Sequence, residues 1–186
     1  MKRVGANVIG LSVDVPTSPS NFLVSGLDEM LLDYRIDIRN YKEVEKVILD
    51  NPPDFVFHLA AQPLVPLSYE YPLETLEINA IGTANILHAL RGLKNPVVAI
   101  MITSDKCYDN VEWVWGYKET DRLGGKDPYS ASKGMAELVI RTYVESYFNA
   151  TECNVRVGIG RAGNVIGGGD WAKDRIVPDC MNAWSN

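Results

Sequence analysis

Two patterns and one absence predict an α/β fold with a doubly wound parallel sheet. Short apolar, β-branched runs alternate with segments whose apolar residues recur at helical spacing. That alternation builds parallel strands with helices on both faces. The absence lies at the start: no Gly-rich turn precedes the first run, so the sheet is expected to lack its first strand and the turn behind it.

Val8-Ile9-Gly10-Leu11-Ser12-Val13 reads as a buried strand that stops at Asp14-Val15-Pro16, and residues 16–21 as a loop. Residues 34–38 form a second short strand. Tyr41, Val44, Val47 and Ile48 have helical spacing within 41–51, and Pro52-Pro53 ends that helix. Residues 54–61 are another buried strand. Residues 73–93 read as a helix with small residues at Ala80, Gly82 and Ala84. Residues 96–104 are the strongest strand. A helix over 130–148 carries Leu138, Val139, Tyr143 and Tyr147 near one face, and 155–159 is the last clear strand. Met1 to Ala6 resembles the tail of a helix, and the chain closes at Ala183-Trp184-Ser185-Asn186 without a second lobe. The expectation is one partial Rossmann-like domain over 1–186, with a substrate-binding lobe essentially absent.

A length of 186 residues is enough for one domain with a core. Net charge is -6, which gives no reason to expect nucleic acid or an anionic membrane as partner. No apolar run approaches the ~20 residues that span a bilayer, and the first residues do not form a secretory signal. Three separated cysteines, without Cys-x-x-Cys, suit a reducing cytoplasm and no structural zinc. With only His58 and His88, no metal site is expected.

Chemistry gathers at a few places. Tyr129-Ser130-Ala131-Ser132-Lys133 sets Tyr and Lys one helical turn apart, after the helix-start signal Asp127-Pro128. An ammonium near a phenol lowers the phenol's pKa from about 10 toward neutrality and prepares it to take a proton. By itself such a pair is common on solvated helices. The setting strengthens it: about 25 residues earlier in the chain, a strand ends in Thr103-Ser104-Asp105-Lys106, at the strand terminus where catalytic groups of open α/β sheets collect. Ser104 could hydrogen-bond a substrate hydroxyl, and Asp105 and Lys106 offer an acid and a base. At another strand end, His58-Leu59-Ala60-Ala61-Gln62 would let a cofactor lie close to the backbone. Arg161-Ala162-Gly163-Asn164-Val165-Ile166-Gly167-Gly168-Gly169-Asp170-Trp171 is a Gly-rich run after a strand, weak evidence for phosphate contact. Asp14 closes the first strand, where an acid could accept hydrogen bonds from a ribose.

Taken in order, His58-Leu59-Ala60-Ala61-Gln62, Asn79-x-x-Gly82-Thr83, Tyr129-x-x-x-Lys133 and Arg161-Ala162-Gly163-Asn164 resemble the extended short-chain dehydrogenase/reductase family. Thr103 to Tyr108, Trp113-Val114-Trp115-Gly116-Tyr117 and Gly163 to Trp171 closely resemble its CDP-glucose 4,6-dehydratase branch. Related dTDP-sugar enzymes carry Asp-Glu where this chain has Asp105-Lys106, which favours the CDP-sugar branch. The resemblance implies an NAD-dependent lyase that converts CDP-glucose to CDP-4-keto-6-deoxyglucose. It implies Tyr129 as base at the sugar 4-hydroxyl and Lys133 as its activator and a ribose ligand. Ser104 would hydrogen-bond the 4-oxygen, Lys106 would act as base at C5, and Asp105 as acid at the departing 6-hydroxyl. Asp14, Asp37, Ile38, Ala60, Ala61, Gln62 and Thr103, with Tyr129 and Lys133, would line NAD. Asn164 and Arg161 would bind substrate. Lys106 as base requires a neutral amine, hence burial or a neighbouring positive charge.

Without the Gly-rich turn, the 186-residue polypeptide is expected to bind NAD poorly and turn over little. A cytoplasmic homodimer through helices 73–93 and 130–148 is a further implication. Two alternatives stand beside this reading: an epimerase or decarboxylase of the same family, which needs no acid/base pair after Ser104, and a silent binding or assembly chain.

Overall fold

The computed structural model describes residues 1–150, 153–172 and 174–185. The fold is α/β with parallel strands, and it divides into two units, Met1–Asp37 with Asn164–Asn186, and Ile38–Gly163.

In the smaller unit, β1 (Ile9–Ser12) pairs in parallel with β2 (Leu32–Arg35), Ile9 opposite Leu32. Two single-turn helices, α1 (Asn21–Val24) and α2 (Leu27–Met30), connect them. Ser20 caps α1 by accepting from the Leu23 N–H. The opening segment is a 3₁₀ turn, Lys2–Val4, closed by Gly5 at φ 86°, a conformation glycine adopts without strain. The second strand lies two to three residues earlier than the 34–38 expected.

The larger unit holds a three-stranded parallel sheet in the order β3 (Phe55–His58), β4 (Val97–Ile102), β5 (Val155–Gly160). Before β3 runs α3 (Tyr41–Asp50), capped by Asn40, which buries Val44, Val47 and Ile48 at helical spacing. Between β3 and β4 come α4 (Val65–Glu70), α5 (Pro72–Leu76), a π-helical turn (Glu77–Ile81) and α6 (Gly82–Leu90). Between β4 and β5 lies α7 (Pro128–Tyr143), which runs into a second π turn, Val144–Phe148. Asp127 caps α7 on the Ser130 N–H, and Pro128 occupies the first turn, where its missing N–H costs nothing. In the smaller unit α8 (Ile176–Ser185) closes the described chain.

Alternation along β4 places Val97, Ala99 and Met101 in the core. The sequence predicts a sheet covered on both faces. Instead Phe55, Phe57 and Leu59 along β3, and Val98 on β4, remain exposed. Helices α6 and α7 pack on each other and supply Ile86, Leu87, Leu90, Ala136 and Ile140 to the interior. Close approach requires glycine at Gly82: a Cβ there would lie 2.5 Å from Cδ1 of buried Ile38.

Candidate active site

The helix α7 carries Tyr129 and Lys133, and both side chains are buried, at 9% and 7% exposure. Lys133 Nζ lies 5.9 Å from the Tyr129 ring centroid. Burial pulls Lys133 below the ordinary lysine value, opposed by a smaller contribution from Cys107.

The end of β4 lies against this helix, since the 3₁₀ turn Asp105–Cys107 packs on α7. Ser104 caps that turn: its Oγ accepts from the Lys106 N–H at 3.2 Å and donates to Asp105 Oδ1 at 3.1 Å. The backbone is fixed to β5 by Thr103 N–H to Gly160 O and Asp105 N–H to Ala162 O. Ser104 is buried, whereas Asp105 and Lys106 are exposed. The burial that a lysine base would need is therefore not present at Lys106 within this chain.

The end of β3 meets the same helix through one amide. Asn79 Oδ1 accepts from the Gln62 N–H at 2.8 Å, and its Nδ2 donates to Gln62 O at 3.1 Å and to Ser132 Oγ at 2.8 Å. Ser132 in turn donates to the Tyr129 carbonyl at 2.6 Å. Gln62 is itself held by Thr75 and by Leu64. Ala60 and Ala61 lie half-buried beside it. His58 contacts Thr83 Oγ1 at 3.0 Å, and the Thr83 hydroxyl already donates to Asn79 O, so His58 Nε2 is the donor. Burial, with the Lys133 charge adding to it, pushes His58 from 6.5 down to about 4, so the imidazole is neutral.

Arg161 is expected to bind substrate. Within the chain its guanidinium binds Glu137, with Nε to Oε1 and Nη2 to Oε2 each at 2.9 Å, and Nη1 donates to Glu119 O. It also lies 4.7 Å over the Tyr108 ring, which stacks on Tyr117, with Trp113 beyond. Burial raises the Glu137 carboxyl, but hydrogen bonds from Arg161 and Thr103 outweigh it and hold it below the usual carboxylate value. An open cavity of about 990 Å³ takes in Asp105, Lys106, Tyr108, Glu137 and Arg161, but Ser104, Tyr129 and Lys133 do not line it.

Of the other expected residues, Thr103 is buried and donates to Glu137, and Ile38 is a core residue whose carbonyl accepts from Asn85. Asp14, Asp37 and Asn164 belong to the smaller unit, where Asp14 and Asn164 are exposed. Sequence reasoning missed Glu137 and Ser132. Glu137 continues the ridge 129, 133, 137 at i+4 steps, but that spacing alone does not mark it off from a solvated acid. Among the described residues, no cluster of His, Cys, Asp or Glu could hold a metal, and no helix is long and apolar enough to cross a membrane.

Parallel strands with a buried Tyr-x-x-x-Lys helix set against a Ser-Asp-Lys strand end define a Rossmann-like α/β chain. A family model described as GDP-mannose 4,6 dehydratase matches residues 25–158, and the chain belongs to that family. It is 47% identical to the CDP-glucose 4,6-dehydratase of Salmonella typhimurium, over all of this chain and 53% of that protein. It is 31% identical to the CDP-paratose 2-epimerase of Salmonella typhi, over 60% of this chain and 37% of that protein. The chain thus spans about half the length of the first relative and less of the second. Among solved structures, a dTDP-glucose 4,6-dehydratase from Streptomyces venezuelae with NAD bound superposes with a TM-score of 0.80 at 23% identity, covering 96% of this chain and 52% of that one. The UDP-glucose 4-epimerase of Thermotoga maritima, solved with UDP-glucose, superposes with a TM-score of 0.79 at 23% identity, covering 96% and 55%.

Proposed function

We propose that this chain carries the catalytic groups of an NAD-dependent CDP-glucose 4,6-dehydratase. The observation that carries the reading is the packing of the Ser104-Asp105-Lys106 turn on the helix that bears Tyr129 and Lys133. The 47% identity to the Salmonella enzyme along the whole chain supports the choice of CDP-glucose. NAD fits the residues present: Lys133 is a buried amine beside the Tyr129 ring, chemically suited to donate to ribose hydroxyls, and the small half-buried side chains of Ala60 and Ala61 stand at the β3 end.

When bound, NAD would accept hydride from C4 and return it to C6. Tyr129 takes the proton of the sugar 4-hydroxyl, and the Lys133 cation favours the phenolate that does so. Ser104 Oγ holds the 4-oxygen while a ketone forms there. The ketone acidifies the C5 proton, which Lys106 removes once substrate covers its amine. Asp105 protonates the C6 hydroxyl as it departs as water, and as hydride reaches C6 the Lys106 ammonium, exchanged with solvent, returns a proton to C5. Arg161, bound to Glu137, also keeps the substrate-binding assignment the resemblance implies. Asp14, Asp37, Gln62 and Asn164 keep the cofactor and substrate assignments the resemblance implies.

A homodimer through the helices at 73–93 and 130–148 belongs to this reading. Exposed Leu73, Ile81, Met135 and Leu138 on those helices support it, and light scattering tests it.

The natural gene product, given CDP-glucose and NAD, is expected to form a 4-keto-6-deoxy sugar. Tyr129→Phe lowers turnover by about 10²–10⁴-fold, the worth of a positioned acid/base group. Asp105→Asn retains C4 oxidation and loses elimination. A sugar inverted at one carbon with no loss of water would instead make the chain part of an epimerase.

A further inference from the structure

We propose that Glu137 is a positioning residue that clamps both ends of the Ser104-Asp105-Lys106 tripeptide to the helix bearing Tyr129 and Lys133. Its catalytic consequence rests on the dehydratase reading; its mechanical content does not.

The carboxylate is 1% exposed, on α7, one helical turn beyond Lys133. Oε1 accepts from Thr103 Oγ1 at 2.6 Å and, more weakly, from Cys107 Sγ at 3.8 Å. Thr103 and Cys107 are the residues immediately before and after the tripeptide, so one oxygen holds both of its flanks. Both carboxylate oxygens also accept from Arg161, just beyond β5. One side chain thus ties three segments together: the β4 end, the β5 end and the catalytic helix. Neighbouring contacts tolerate little slack. A Cβ at Gly134, the residue after Lys133, would stand 3.0 Å from Gly124 O, and the Gly124 N–H donates to Cys107 O. Arg161 further spans to Glu119 O and to the Tyr108 ring, immediately past the turn.

A buried ion pair can serve stability alone, and removing one partner leaves the other charge stranded. Position is a separate claim, because Asp105 and Lys106 are exposed and are placed by the backbone between Thr103 and Cys107, with the Ser104 side chain as a tie within the turn. Loss of the clamp should impair the step those two residues perform more than the step that Tyr129 performs. Displacing a reacting group by about 1 Å can cost on the order of a hundredfold.

Two variants test this. Glu137→Gln removes the charge, and Thr103→Val removes one tie while leaving the ion pair in place; Thr103→Ser restores the hydroxyl and is the rescue. Hydrogen exchange on the 186-residue chain is the first readout. Amides of 103–108 are expected to exchange roughly tenfold faster or more in Glu137→Gln and Thr103→Val, with those of α3 unchanged and Thr103→Ser like the parent. The second readout is the partition of CDP-glucose in the natural gene product. Elimination is expected to fall roughly ten- to a hundredfold, with the 4-keto hexose accumulating and KM unchanged. Exchange that stays the same, or that rises equally in α3, would overturn the clamp, as would an unaltered partition in a variant whose parent is active. A parent that makes no keto sugar, with the local exchange change present, would defeat the dehydratase reading and leave the clamp standing.

Discussion

The two units use the same strand chemistry to different ends. Every buried apolar side chain among the described residues lies in the larger unit, from Ile38 to Val155, whereas Ser20 is the one buried side chain of the smaller unit. Ile9 and Leu32 are paired strand residues of the smaller unit, yet both stay exposed. In the larger unit, α6 and α7 pack on each other and bury apolar side chains, and the buried polar groups there each find a partner: Asn79 with Gln62 and Ser132, Glu137 with Arg161 and Thr103. A β-rich apolar run marks a strand; a helix laid across it makes a site.

That contrast can be broken or sharpened experimentally. The largest effect is expected at Gly125, where a Cβ would stand 2.3 Å from Ala131 N and 2.5 Å from Ser130 C. Those are backbone atoms at the start of α7, so Gly125→Ala should destabilise the larger unit by about 3 kcal/mol or more in urea unfolding. A loss below about 1 kcal/mol would mean that α7 is not held as tightly as the contrast requires.

The next is a pH effect. His58 is held neutral in the fold, with its value near 4 against 6.5 when free. The unfolded chain therefore binds the extra proton first, so stability is complete above about pH 6.5 and declines as pH falls toward 4. The total is about 3 kcal/mol, at 1.36 kcal/mol per pH unit. Replacing His58 by Gln should flatten that slope in pH-dependent denaturation. Glu137, held below the usual carboxylate value, acts further down in pH: its contribution is present above the unfolded carboxylate value and lost as pH drops through the folded one.

Smaller effects belong to the less covered unit. Arg35 donates to Ser12 Oγ at 2.6 Å and Asp14 O at 2.8 Å, lies 2.5 Å from Asp33, and covers the Phe22 ring. Its exposure limits the worth of that cluster, and Arg35→Ala should cost about 1 kcal/mol. Local hydrogen exchange in β1 and β2 reads it, with α7 unchanged. The smallest change is expected at Leu73, 73% exposed on α5, where Leu73→Lys should shift monomer stability by no more than about 0.5 kcal/mol.

Much of this architecture was legible in the sequence. The strands at 54–61 and 96–104 and the helices at 41–51 and 130–148 announce themselves by period and by their stops, and the Asp127-Pro128 start of α7 is visible as chemistry. The second strand was misplaced because Ile36 and Ile38 carry a strong β signal. Register with β1 puts the strand at Leu32–Arg35, and Ile38 serves the other unit's core against Gly82. The helix α4 was hidden by Pro66, which reads as a breaker but occupies the first turn, where proline is tolerated. Tyr129, Lys133 and Ser104 could be read from spacing. Glu137 could not be separated from an ordinary solvated acid, because its partners Thr103 and Arg161 are 34 and 24 residues away and only the folded sheet brings them together.

In the proposed reaction NAD would oxidise the sugar at C4 while Tyr129, assisted by Lys133, takes the hydroxyl proton, and elimination is completed at the Ser104-Asp105-Lys106 turn. Running the natural gene product on CDP-glucose and NAD in heavy water, followed by mass spectrometry and NMR of the sugar, tests it most directly. The account predicts a product lighter by one water, with a single solvent deuterium at C5 and a methyl group at C6. A product of unchanged mass, or one without deuterium at C5, would contradict it.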